Sequence, residues 1–288
     1  MLKSVTILID DLFLLELFFV ICFFEKIKFI MFSLDFSDIQ LTIWETAKRF
    51  SQEVIAPGAI ERDKTGEFPR EILKQLGELG FLGIMVPEEY NGAGLDAISY
   101  VLALREIAKA DASIAIPVSV QNSLVDWIFL HYGSEFLKDK YLKKLSTGEY
   151  FGAYSLSEPE AGSDARMIRT LAEKDGDYWI LNGFKNWVST GQNADVYVVF
   201  AQTDPQKEHR GIAAFAIEKG TPGFEPMKKE DKMGMHGSDT VSIALTNVRV
   251  PNENVIGKVG EGFYIAMQAL NGGRIGIAAQ SLGIAEAA

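Results

Sequence analysis

Apolar positions recur every three or four residues from Ser37 to Gly148, every second residue from about Tyr150 to Asn252, and again at helical spacing from Gly260. A period near 3.6 buries one face of a helix, and a period of two buries one face of a strand. In the first region Ser37 and Gln40 form a capping box, and Ile39, Ile43, Ala47, Phe50 and Val54 share one face until Pro57 stops the helix. Pro69 opens a second helix with Ile72, Leu76 and Leu79 on one side and Gly80 at its end. The stretch from Phe81 to Leu95 reads as a loop. Helices follow over Ala97 to Ala110, Pro117 to Tyr132 and Glu135 to Leu145, with Gly148 as a stop.

After Gly148 the segments Thr170 to Lys174 and Tyr178 to Leu181 flank an Asp175-Gly176 turn, the signature of a hairpin. Val196 to Gln202, Ile212 to Glu218 and Val241 to Val250 continue the β run. Five or six strands without intervening helices predict an antiparallel barrel or sandwich and argue against a doubly wound dinucleotide fold. A helix from Gly260 to Leu270 is followed by Asn271-Gly272-Gly273-Arg274 and a further helical stretch, with Ile275, Ala279, Leu282 and Glu286 close along one face. The expected fold class is therefore α+β and multidomain. An apolar leader over residues 1–30 precedes an N-terminal α-helical bundle over 31–149. A middle antiparallel β-barrel or sandwich spans 150–252, and 253–288 begin a C-terminal α-helical domain whose partners lie beyond Ala288.

The leader needs its own reading. Val5 to Phe24 is strongly apolar, but Asp10, Asp11 and Glu16 interrupt it, each costing about 2.5 to 3.5 kcal/mol near a bilayer centre. The uninterrupted part is too short to span, and no small-residue cleavage site follows it. Residues 1–30 are expected to stand outside a fold that starts near Met31 in a cytoplasmic protein, with membrane association through residues 5–24 as the alternative. Thirty-nine acidic and 28 basic residues give a net charge of -11 with no basic stripe, which excludes nucleic acid as a partner. Cys22 is the sole cysteine, and His131, His209 and His236 lack metal-ligand spacing, so neither disulfide nor metal chemistry is expected.

Candidate chemistry concentrates between Tyr150 and Gly191. Tyr154-Ser155-Leu156-Ser157-Glu158-Pro159 leads into a turn at Gly162-Ser163-Asp164, which leaves small hydroxyls and free amides at a strand end. Such an edge suits a flavin, whose pyrimidine ring carries carbonyls and nitrogens that need partners once buried. Trp187, followed by Val188 and Ser189, offers a flat apolar face for the ring system, although a tryptophan in a strand is ordinarily core.

From Met31 to Ala288 the chain resembles the first two thirds of an acyl-CoA dehydrogenase. The resemblance is carried by Tyr154-x-Leu156-Ser157-Glu158-Pro159-x-x-Gly162-Ser163-Asp164, Trp187-x-Ser189, Lys232-Met233-Gly234 and Gly272-Gly273-Arg274. It implies FAD as cofactor, bound by Tyr154, Leu156, Ser157, Gly162, Ser163, Trp187, Val188 and Ser189, and an acyl-CoA substrate held by Ser163, Asn271, Gly272, Gly273 and Arg274. It further implies dehydrogenation of a short-chain acyl-CoA to a trans-2-enoyl-CoA, an electron-transfer flavoprotein as electron acceptor, and a homo-oligomer when complete. Relatives usually carry Asp where this chain has Asn271, which weakens pairing with Arg274. Most members carry the catalytic Glu in the C-terminal domain, and a minority carry it just before the motif arginine, where this chain has Gly273. No catalytic residue is therefore assigned. Loss of such a base costs about a hundredfold to ten-thousandfold in rate. The expectation is an incomplete copy, or one piece of an enzyme with its C-terminal domain in trans. A non-catalytic flavin-, acyl-CoA- or partner-binding module is the alternative, and an oxygen-using acyl-CoA oxidase shares the same motifs.

Overall fold

The computed structural model describes residues 35–288. The expected leader over 1–30, its 5–24 segment and the start near Met31 lie outside the described residues. Of the amino-terminal unit, residues 1–38, the described residues 35–37 carry no regular secondary structure and Asp38 opens the first helix. The unit from Ile39 to Ala288 carries everything below.

Helix α1 runs Asp38–Phe50, and the chain does not stop at Pro57. It continues through a wide turn at Ser51–Ile55 and a tight one at Ala56–Gly58 into α2, Ala59–Thr65. Pro57 is accommodated where the widened turn at Ser51–Ile55 gives way to the tight one, so the change of hydrogen-bond pattern falls at the residue that lacks an N–H. Helix α3, Arg70–Glu78, follows Pro69 as expected and buries Leu73 and Leu76. The loop of residues 81–95 is an internal one: Phe81, Leu82, Ile84 and Val86 are all buried.

Helix α4 occupies Ala97–Ala110, the range read from the sequence. Helix α5, Ala112–Tyr132, starts one turn earlier than Pro117 suggests, because Asp111 caps it by accepting the N–H of Ser113. It is long and apolar enough to cross a membrane, yet most of it is buried here as a core helix. Its turn at Gln121–Asp126 is widened, and there two amides act as staples. Asn122 Oδ1 accepts from Ile84 N at 2.9 Å and Nδ2 donates to Phe81 O at 2.9 Å, satisfying the internal loop. Gln121 Nε2 donates to Leu145 O at 2.7 Å while its Oε1 accepts Gly152 N at 2.9 Å, tying the next helix to the first strand. That helix, α6, covers residues 135–146.

Eight strands follow: β1 Gly152–Ser155, β2 Leu171–Asp175, β3 Tyr178–Ser189, β4 Val196–Gln202, β5 Ile212–Glu218, β6 Phe224–Lys229, β7 Thr240–Pro251 and β8 Val255–Ile256. Their order is β6-β7-β3-β2-β4-β5-β8, with β1 beside β4. The pairings are antiparallel, as expected, except β1 with β4 and the single β2 to β4 contact, which are parallel. The β2–β3 turn is formed by Gly176 and Asp177, one residue later than Asp175-Gly176, because Asp175 itself pairs with Tyr178. With β6 and β8 at the two ends, the sheet does not close, so the barrel half of the expectation is corrected.

Strands β4 and β5 are buried on both faces, which is why they read as continuous apolar runs. Val196, Val198 and Phe200 pack on the helices together with Ile128, Phe129, Ile265 and Ala269. Tyr197, Val199 and Ala201 face the opposite way, into a β core closed by Trp179, Leu181, Ile243 and Val250 of β3 and β7.

Helix α7, Gly262–Ala287, is one continuous rod that includes Asn271 to Arg274. The expected break at the paired glycines does not occur, because α7 lies against α4 and α5 closely enough to hold it straight. A Cβ at Gly276 would come within 2.3 Å of the Tyr100 hydroxyl, and one at Gly283 within 2.3 Å of the Arg105 carbonyl.

Asp126, in the widened turn of α5, is fully buried, and neither carboxylate oxygen has a hydrogen-bond partner. Burial pushes its carboxyl well above the usual range, so the native state holds it neutral. A raised acid carries no penalty below the unfolded pKa and a growing one as pH climbs toward the folded value. Asp126→Asn should therefore raise the urea midpoint relative to the parent, by little near pH 4 and increasingly toward pH 8. A difference that stays constant with pH would show that Asp126 is ionised in the fold.

Candidate active site

Strand β1 delivers the chain to a loop that leaves the sheet at Leu156. Ser157 O accepts Asn186 N at 2.9 Å, which pins the loop to β3. Glu158 and Ala161 exchange backbone hydrogen bonds of 3.0 and 3.1 Å across a tight turn, and Asp164 Oδ1 accepts Arg166 N at 3.3 Å beyond it. The Arg166 guanidinium forks onto the same carboxylate at 2.9 and 3.2 Å and holds Asp164 below its ordinary range.

Beneath this loop lies a feature that the sequence reading did not single out. Lys185 Nζ stands 2.7 Å from Glu158 Oε1, with the lysine side chain 0% and the glutamate 5% exposed. The ammonium also donates to Leu156 O at 3.2 Å, and the carboxylate accepts the N–H groups of Arg169 and Thr170 at 2.5 and 3.1 Å. Burial drives Lys185 down to about 8 against the pull of Glu158. For Glu158 burial acts upward, but the Lys185 charge and the backbone donors outweigh it and hold the carboxyl below its usual value. Both groups are thus ionised at neutral pH, and the pair fixes both ends of the 156–170 loop. The available sequence signal was a lysine on the inward phase of β3, in step with the apolar Trp179 and Leu181, since a lysine there demands a buried carboxylate.

Two cavities open around α7. One, of about 620 Å³, is lined by Tyr154, Leu156, Ser157, Gly162, Ser163 and Arg166 on the loop side and by Phe263, Met267, Leu270 and Arg274 of α7. The other, of about 840 Å³, is largely apolar and lies between α5 and α7, with Ile116, Val120, Leu124 and Ile277 on its walls and Ser189 and Met235 contributed by the β region. Leu270 and Arg274 belong to both. The tertiary fold thus brings the Tyr154 to Ser163 motif and Arg274, more than a hundred residues apart, to one wall.

The remaining candidates are placed as follows. Gly273 lines the apolar cavity, packed toward Leu124. Asn271 Oδ1 accepts from Arg274 Nη1 at 2.6 Å, one turn away on α7, and Gly272 sits over the Ser123 carbonyl. Arg274 makes no ion pair among the described residues, so its charge is left facing the cavities. Trp187 lines neither cavity. It occupies a bulge between Lys185 and Val188 with φ +55, and it is 61% exposed. Val188 turns into the β core, while Ser189 reaches the apolar cavity.

A helical domain followed by a largely antiparallel sheet, with a motif loop and a long helix meeting at paired cavities, defines a class of flavoprotein dehydrogenases. Residues 37–149 match the profile of the acyl-CoA dehydrogenase N-terminal domain, and 153–248 that of the acyl-CoA dehydrogenase middle domain. An acyl-CoA dehydrogenase of Bacillus subtilis (strain 168) is 46% identical over 249 residues, which are 86% of this chain and 66% of that protein. The structure of butyryl-CoA dehydrogenase from Megasphaera elsdenii is 45% identical with a TM-score of 0.87 over 89% of this chain and 68% of its own. A glutaryl-CoA dehydrogenase from Mycobacterium smegmatis in complex with FADH2 is 35% identical with a TM-score of 0.82, over 88% and 64%. The chain belongs to the acyl-CoA dehydrogenase family and spans about two thirds of the length of the curated relatives it matches.

Removing one member of a buried ion pair strands the other, at a cost of about 3–5 kcal/mol. Glu158→Gln should lower unfolding stability in urea by that order, and Glu158→Gln with Lys185→Met should regain most of the loss. A double variant no more stable than Glu158→Gln alone would show that the pair is not the source of the effect.

Proposed function

We propose that this chain forms the flavin- and acyl-CoA-binding part of a short-chain acyl-CoA dehydrogenase. Such an enzyme removes the α and β hydrogens of an acyl-CoA thioester to give a trans-2-enoyl-CoA and passes the electrons to an electron-transfer flavoprotein. The observation that carries the reading is the wall that Leu270 and Arg274 share between the motif-lined cavity and the apolar one. Relatives named for butyryl-CoA and FADH2 support the substrate class and the cofactor.

The residues present fit FAD. The loop-side cavity combines the apolar surfaces of Tyr154, Leu156, Phe263 and Met267 with the hydroxyls of Ser157 and Ser163 at a strand end, which suits a planar ring system with a polar edge. When bound, FAD supplies the acceptor for the β hydride of the substrate. Position in the cavities supports the roles of Ser157, Ser163, Ser189, Arg274 and the apolar residues, whereas those of Trp187 and Asn271, which line neither cavity, rest on the family resemblance. Ser157 and Ser163 orient the ring edge by hydrogen bonding, and Trp187 with Ser189 covers a ring face and excludes water. Ser163, Asn271 and Arg274 hold the thioester arm, and Ile116, Val120, Leu124 and Ile277 take the acyl chain. Among the described residues no carboxylate lines the apolar cavity, and Gly273 offers no base, so the acceptor of the α proton is not assigned to a residue. That observation favours the second reading, a flavin- and acyl-CoA-binding module without catalysis. Assembly as a homo-oligomer belongs to the same proposal and is read by light scattering.

Anaerobic addition of butyryl-CoA to the FAD-loaded chain separates the two readings: bleaching of the flavin absorbance supports dehydrogenation, and binding without bleaching supports the module. Trp187→Ala should weaken FAD binding at least tenfold by fluorescence titration. Trp187→Gly should lose FAD equally but be more stable than the alanine variant by roughly 1 kcal/mol, because glycine accepts a positive φ freely. Full FAD affinity in both variants would remove Trp187 from the site.

A further inference from the structure

The segment between β6 and β7, residues 230–239, contains neither helix nor strand, yet three basic side chains fix it. Lys232 Nζ donates to the carbonyls of Met235 and Ser238 at 3.0 and 2.6 Å. Lys229 Nζ, from β6, donates to the carbonyls of His236 and Gly66 at 2.6 and 2.7 Å, joining the segment to the end of α2. His236 makes the third link. Its backbone N–H donates to Asp63 Oδ1 at 3.0 Å, its Nδ1 lies 3.0 Å from the same oxygen, and its Nε2 lies 2.7 Å from Lys232 O.

Both ring nitrogens therefore face atoms that only accept. A neutral imidazole has one N–H and one lone pair, so it fills one of these bonds and sets a lone pair against an oxygen in the other. The imidazolium fills both. The charged groups around the ring are Asp63 on α2, which favours the cation, and Lys229 and Lys232, whose ammonium groups are turned onto carbonyls. Asp63 is held below its usual range, first by the His236 backbone N–H, which outweighs slight desolvation, so it stays ionised wherever histidine titrates.

The clasp controls the residue beside it. Met235 has φ +54, a left-handed conformation that an L residue adopts only at a cost, and its side chain forms part of the apolar cavity together with Ser189. Lys232 and His236 bracket this turn on both sides. We infer that His236 is a positioning residue whose imidazolium clasps the 230–239 segment to α2 and thereby sets Met235 as one wall of the apolar cavity. The clasp is complete when the ring is protonated and loses one of its two ring bonds as pH rises. The inference does not depend on what fills the cavity. If the occupant is an acyl chain, the effect falls on binding and not on the chemical step.

The test uses the full chain carrying ¹³C-methyl methionine, with the Met235 resonance assigned through Met235→Leu. As pH is raised from about 5 to about 8, the Met235 signal should move in a single step. The step should vanish in His236→Gln and in Asp63→Asn. In His236→Arg, which keeps charge and donors, the signal should stay at its low-pH position throughout. A step that survives in His236→Gln, or a His236→Arg protein that titrates like the parent, would overturn the inference. Calorimetric binding of butyryl-CoA separates the two readings: a Kd that rises with pH in the parent but not in His236→Arg supports both, whereas a Met235 step with an unchanged Kd supports the clasp and counts against the acyl occupant.

Discussion

Everything at the site depends on how closely α7 approaches α4 and α5. Gly276 and Gly283 permit that approach, since any side chain at either position would overlap Tyr100, Ser119 or the Arg105 carbonyl. Overpacking of this kind costs about 1–3 kcal/mol and moves backbone. At the far end Arg105 Nη2 meets Glu286 at 2.8 Å and holds the rod down. With α7 seated, Leu270 and Arg274 form a common wall for both cavities, and Arg274 keeps an uncompensated charge where it faces them.

Two buried carboxyls show how environment divides identical chemistry. Glu158 is surrounded by an ammonium and backbone N–H groups and stays ionised, so it organises the motif loop. Asp126 has no donor at all and is held neutral by burial. Between these extremes Asp239 is pushed upward by burial although it accepts Gln192 N at 2.6 Å and Asn193 Nδ2 at 3.3 Å, and it braces the turn that follows Ser189. The motif loop, the Trp187 bulge and the Met235 turn are thus held from beneath by polar groups that never reach the cavities.

Much of the architecture was legible as period. Helix α4 and strands β4 and β5 coincide residue for residue with their apolar patterns, because each buries a face, or two, that its sequence states directly. The failures have two causes. Pro57 and the paired glycines at 272 and 273 are local breakers: the widened turn before Pro57 accommodates the first, and packing of α7 on α4 and α5 overrides the second. Strands β6 and β8 were missed because an edge strand with Lys228 and Lys229, and a two-residue strand, carry too little alternation to register. The Asn271 to Arg274 segment was read as a junction and is the middle of a rod.

The sequence alone determined which residue types would make the site: hydroxyls at a strand end, an aromatic face, and an arginine on an apolar helix. Their order along the chain was enough to reveal the family. Only the tertiary structure decided that the loop motif and Arg274 share a wall, that Trp187 stands out from a bulge, and that Glu158, Lys185, Asp63 and His236 support the residues which line the cavities. The reason is physical. Periodicity records which face of an element is buried, whereas ion pairs and cavities arise between elements distant in sequence and depend on how closely their backbones approach.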